Sequence, residues 1–150
     1  MISPELLRRY TFFNGFTMQD LKELAMAAQE ENHAAGDLLF SEGEHADALH
    51  FLCDGEVEVL INADGENIAI STLPAGEPVG WSALIEPYVF TATARATRPC
   101  RVIAFGRPEL TKRMENAKFA AVLMRKIAEV LSRRLRDTQV QLLSLTAKVP

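Results

Sequence analysis

The hydrophobic period of this chain changes twice. Residues 4–29 read as helical, with Leu6, Leu7 and Tyr10 at helical spacing and Leu21, Leu24, Ala25 and Ala28 on one apolar face. Phe12, Phe13 and Phe16 gather around Asn14-Gly15, which is a turn signal, and are assigned to the core. Thr17 is placed to cap the following helix, with Asp20 at its third position closing a variant capping box.

From Gly36 to Phe105 short apolar runs alternate with Gly and Asp turns, the pattern of a sandwich or barrel. Leu38-Leu39-Phe40 and Leu49 to Cys53 are strands. Val57, Val59 and Ile61 alternate with Glu56, Glu58 and Leu60, which predicts one core face and one mixed face. Asp64-Gly65 predicts a tight hairpin turn, because both positions tolerate positive φ. Ile68, Ile70 and Leu73 resume the ladder. Thr91 to Ala96 and Arg101 to Phe105 are two further strands.

From Arg107 the period returns to helical. Pro108 suits a first turn, and Asn116 reads as a break or cap before a long helix over 117–145. Leu131, Leu135, Thr138, Leu142 and Leu145 are spaced four, three, four, three along it, a coiled-coil seam with one polar member. About 29 residues span roughly 43 Å, longer than one small domain covers, so the seam predicts a homodimer. Arg125, Lys126, Arg133, Arg134 and Arg136 on the same helix read as a solvated face.

Composition places this pattern in one domain over 1–150: N-terminal helices over 1–35, a β-barrel over 36–106 and C-terminal helices over 107–145. The chain is 48% hydrophobic and 24% charged, which is the balance of a globular protein. A net charge of −4 disfavours non-specific nucleic-acid binding. No apolar run approaches the roughly 20 residues of a membrane span, and the amphipathic, charged start is no signal peptide. The expected address is the cytoplasm, with no membrane partner. Cys53 and Cys100 lie in apolar runs and are expected reduced and buried. His33, His45 and His50 have no ligand spacing, so no metal site is expected. No nucleophile, base and orienter stand at a recognised spacing, which argues against an enzyme.

The candidate chemistry lies in Pro74 to Cys100. Gly80, followed by small polar and apolar residues opening a short helix, is a backbone cradle for an anion or small ligand.

The order of elements and several stretches resemble the cyclic-nucleotide-binding domain of catabolite-activator and Crp/Fnr-type regulators. The matching stretches are Ala35-Gly36-Asp37-Leu38-Leu39-Phe40-Ser41-Glu42-Gly43-Glu44 and Leu49-His50-Phe51-Leu52-Cys53-Asp54-Gly55-Glu56-Val57-Glu58-Val59-Leu60. Phe13-Asn14-Gly15-Phe16 and the run from Leu123-Met124-Arg125 to Arg133-Arg134-Leu135 match as well. The resemblance covers essentially the whole chain. It implies an α+β fold: an antiparallel β-barrel (a jelly roll, or double-stranded β-helix) flanked by N-terminal helices and a long C-terminal helix.

The family holds its nucleotide in a cassette where a Gly-Glu-Leu-(Gly/Ala) turn opens a short helix and an Arg-Ser/Thr-Ala segment follows. There the Arg and backbone N–H groups take the phosphate, and the Glu takes the ribose hydroxyl. The matching residues are Val79, Gly80, Trp81, Ser82, Ala83 and Leu84, then Phe90, Thr91, Ala92 and Thr93. Trp81 stands in place of the Glu and Phe90 in place of the Arg. Losing two charged hydrogen bonds weakens a cyclic nucleotide by about 100-fold or more. Glu77 lies outside the short helix, and Arg95, five residues after Phe90, faces the other side of its strand. Thr138 matches a position where relatives touch the ligand from the partner subunit.

The resemblance therefore implies a stand-alone regulatory sensor that binds a small effector and signals through its dimer helix. The effector is a cyclic nucleotide (cyclic AMP or cyclic GMP) or, with both anchors replaced, another ligand. The alternative is a ligand-free scaffold for dimerisation or a protein partner. Direct DNA binding is not expected, because five residues after Leu145 leave no room for a helix-turn-helix.

Overall fold

Ser3 opens the first helix, α1 (Pro4–Arg8), by accepting from the Glu5 backbone N–H. A 3₁₀ turn over Thr11–Phe13 leads to α2 (Met18–Ala27). Thr17 and Asp20 form the reciprocal capping box that the sequence predicts, each side chain accepting from the other's backbone at 3.0 Å. The computed structural model describes residues 2–147, so the ends of the 1–150 domain, at 1 and 148–150, lie outside the described residues.

The first correction falls at Ala28. The chain does not continue as helix towards residue 35 but enters β1 (Ala28–His33). Six consecutive residues of β1 pair with β8 (Cys100–Gly106), from Ala28 opposite Phe105 to His33 opposite Cys100. That ladder satisfies the backbone groups of a segment with no strand-like side-chain pattern of its own.

The other strands are β2 (Leu38–Phe40), β3 (Ala48–Asp54), β4 (Glu56–Ala63), β5 (Glu66–Pro74), β6 (Glu77–Val79) and β7 (Thr93–Ala96). They form two antiparallel four-stranded sheets, in the orders β1-β8-β3-β6 and β2-β7-β4-β5. The fold is α+β with flanking helices at both ends, but the barrel is not closed. β1 and β6 end one sheet and β2 and β5 the other, with no ladder joining those edges. The sheets are instead held by a shared core, in which Leu52, Val79 and Val102 of the first meet Val57, Leu73 and Ala94 of the second.

The β4–β5 hairpin turns at Asp64 (φ 53°) and Gly65 (φ 85°), the positive pair its turn requires. The expected alternation in β4 breaks midway. Val57 and Leu60 are buried, whereas Ile61 is exposed. Opposite Val59 and Leu60 the pairing skips Ile70, so the extra residue of a bulge lies on β5.

A second core lies on the outer face of the first sheet. Leu49, Phe51, Ile103 and Phe105 meet Phe12, Phe13, Phe16 and the helices there. Phe51 contacts Tyr10 and Phe13 with ring centroids 5.0 and 4.8 Å apart. Burying each such ring contributes about 2–3 kcal/mol.

After α3 (Arg107–Arg113), Asn116 caps α4 (Ala117–Ala147), its Oδ1 accepting from the N–H groups of Lys118 and Phe119. The first half of α4 buries Phe119, Leu123, Ile127 and Val130 in the helical core. Of the expected seam, Leu131 packs partly against that core, and Leu135, Leu142 and Leu145 are exposed. Cys53 and Cys100 are free and buried. No helix among the described residues is long and apolar enough to cross a membrane.

Candidate functional site

Gly80 ends β6 in the left-handed region (φ 77°, ψ 80°) and starts a 3₁₀ turn over Trp81–Leu84. A Cβ at Gly80 would lie 2.7 Å from Phe40 Cζ and 3.0 Å from Phe90 Cε1. Glycine is required here both for its φ and for the close approach of two rings. Those rings stack on each other, with centroids 3.8 Å apart and planes 11° apart. His50 lies beside them, its ring 5.4 Å from Phe40. Its Nδ1 is buried without a partner. Burial pushes the His50 pKa down, Glu31 opposes this, and His33 adds to it.

Beside the stack is a cleft of about 150 Å³. Its apolar wall is Phe40, Val59, Ile70, Leu73, Val79 and Phe90, and Ser71, Ser82, Thr91 and Thr138 bring hydroxyls to it. Of the eleven expected residues, Val79, Gly80, Trp81, Ser82, Phe90, Thr91, Ala92, Thr93 and Thr138 line this one cleft. The other two do not. Ala83 is buried in the inter-sheet core, and Leu84 packs against the helical core. The expected strand from Thr91 begins only at Thr93, so Thr91 and Ala92 reach the cleft from a bend. Thr93 Oγ1 accepts from the Glu42 N–H at 2.9 Å.

The residue that sequence reasoning missed is Arg134. It does not lie on a solvated face. Its side chain is 18% exposed and forms part of the cleft wall. Nη2 donates to the Pro78 carbonyl and to Glu77 Oε2 at 3.5 Å, and the guanidinium carbon lies 5.4 Å from the centre of the Trp81 ring. Nε is buried without a partner. Burial pushes the Arg134 pKa down, Glu77 pulls it back, and Arg133 lowers it further. Glu77 is already held by Arg133 at 2.8 Å, so two guanidinium groups share one carboxylate and one positive charge is left over. The signal was present in the sequence: the buried stripe Phe119, Leu123, Ile127, Val130 continues at four-residue steps to Arg134 and Thr138.

The two nearby charges weighed as replacements lie elsewhere. Glu77 is engaged by Arg133 and Arg134. Arg95 Nε donates to Glu58 Oε1 at 2.7 Å, across β7 and β4, and takes no part in the cleft wall. A larger and more open hollow of about 620 Å³ lies between Tyr10, Gly76 and Lys126. Lys126 and Arg133 on its rim are paired with Glu129 and Glu77.

Residues 30–117 match the family model of the cyclic nucleotide-binding domain. The structure is similar to that of a Geobacter metallireducens GS-15 protein assigned as cyclic nucleotide-binding, with 36% identity and a TM-score of 0.81 over 90% of this chain and 99% of that one. It is also similar to the catabolite activator protein of Thermus thermophilus, with 21% identity and a TM-score of 0.71 over 96% of this chain and 63% of that one; at that identity the likeness is one of fold. In sequence it is 26% identical to the potassium channel KOR1 of Oryza sativa subsp. japonica over 119 residues, 76% of this chain and 14% of the channel.

Proposed function

The chain belongs to the cyclic nucleotide-binding domain family, and from that premise we propose that it is a regulatory sensor module. A small effector enters the cleft beside Gly80 and Trp81 and changes how α4 is held, and α4 passes the change to a partner. The observation that carries this reading is the double position of α4. Arg134 and Thr138 belong to the cleft wall, and Leu135, Leu142 and Leu145 of the same helix are exposed. An effector shifts such a helix only by favouring one of its positions over another. The partner is a second copy of the chain, paired along the leucines. Function is non-enzymatic, in the cytoplasm, where free cysteines such as Cys53 and Cys100 stay reduced.

One observation favours the scaffold reading instead. The Phe40–Phe90 stack lines the cleft, and about 150 Å³ is below the roughly 300–1,000 Å³ of ordinary ligand pockets. Thermal denaturation with cyclic AMP, cyclic GMP, a cyclic dinucleotide and small organic acids separates the two. A sensor gains melting temperature with at least one of them, increasingly so as its concentration rises. No shift with any at millimolar concentration supports the scaffold.

A further inference from the structure

We infer that the cleft takes a single-ring organic monocarboxylate, with its ring in the apolar wall and its carboxylate on Arg134. This rests on the sensor reading above and names the class of effector. Size comes first. A cavity of about 150 Å³ lined by aliphatic and aromatic groups accommodates one benzene-sized ring, and a fused purine with ribose and phosphate exceeds it. The wall formed by Leu73, Val79 and Phe90 suits a ring.

Charge comes second. Arg134 is the one charged side chain among the described residues that line the cleft. Its Nη2 carries both bonds to the protein, whereas Nη1 makes none and is not buried. A carboxylate on Nη1 gives the guanidinium the charged acceptor it favours. The one surplus positive charge of the Arg133–Arg134–Glu77 group matches a monoanion and leaves a dianion uncompensated. Trp81 holds the guanidinium from the ring side, so the aromatic that displaced a carboxylate in the cassette serves a cation placed on α4.

Calorimetric titration of the full chain with benzoate and its neutral isostere benzamide tests this, with cyclic AMP alongside. Trp81 is the sole tryptophan, so its fluorescence reports whether a bound ring lies in the cleft. Benzoate is expected to bind at least about tenfold tighter than benzamide, with a Trp81 fluorescence change saturating at the same concentration. Arg134→Gln is expected to bring the two within about threefold of each other. Equal binding of benzoate and benzamide to the unaltered chain overturns the inference, as does benzoate binding with Trp81 unchanged. Retention of the preference in a folded Arg134→Gln protein overturns it too. Should that variant not fold, the fluorescence and isostere comparison on the unaltered chain decide alone. Cyclic AMP binding without benzoate binding overturns the carboxylate inference and leaves the sensor reading standing. Absence of all binding overturns the carboxylate inference, and the sensor reading falls with it only when cyclic GMP, the cyclic dinucleotide and the other organic acids also give no thermal shift.

Discussion

Phe90 lies flat on Phe40 at 3.8 Å between ring centroids. Both rings are buried, and Gly80 closes over them. The stack lines the cleft, and the cleft's cation arrives from α4 as Arg134.

Gly80→Ala tests how tightly that backbone is fixed. The added methyl meets two stacked rings, and alanine at φ 77° is strained. Overpacking and the left-handed backbone together cost about 2–4 kcal/mol. Urea denaturation is expected to show that loss as a lower midpoint with an unchanged slope.

Trp81→Glu combined with Phe90→Arg puts a carboxylate and a guanidinium at the two positions that the resemblance assigns to the family's anchors. The variant is expected to melt below the unaltered chain, because a guanidinium would take the place of the Phe90 ring, which is only 4% exposed. Cyclic AMP at millimolar concentration is expected to raise its melting temperature, with a smaller or no effect on the unaltered chain. A folded variant indifferent to cyclic AMP would place the anchors at other residues.

Much of this arrangement was legible locally. The Thr17–Asp20 box, the Asp64-Gly65 turn and the Asn116 cap are each written within a few residues, and the structure contains all three. Most residues of the stretch around Gly80 singled out from its order in the sequence line one cleft. What failed depended on partners distant in sequence. β1 exists because β8, some 70 residues on, pairs with it, as Glu30 opposite Ile103 illustrates. The bulge at Ile70 of β5 is defined only by its pairing with β4, and an alternation pattern has no means of showing it. Arg134 leaves the solvated face only because Glu77 and Pro78, from a distant strand, reach its end of α4.

Leu135 and Leu142 are 59% and 63% exposed, so charges there disturb nothing within one copy of the chain. Leu135→Glu with Leu142→Glu is expected to leave the stability of the separated chain within about 0.5 kcal/mol of the unaltered value. Sedimentation at tens of micromolar is expected to change from dimer to monomer. An unaltered chain that already sediments as a monomer contradicts the paired seam.

His50 sets an acid limit on stability. Its folded pKa lies below the usual 6.5, chiefly through burial, so the neutral form favours the folded state. Its contribution is present above about pH 6.5 and is lost as pH falls through the depressed folded value. His50→Phe, which also removes the unpartnered Nδ1, is expected to flatten that acid limb by up to about 1.4 kcal/mol per pH unit. Stability measured by denaturant titration from about pH 7 to about pH 5 reads this directly. An acid limb of the same slope in the variant assigns it to other groups.

Occupation of the cleft is expected to be felt along α4, and amide hydrogen exchange across residues 131–145, with and without saturating benzoate, reads it. Slower exchange is predicted there, because a carboxylate on Arg134 ties the exposed half of the helix to the cleft wall. Exchange along α4 that is the same in both conditions would contradict it.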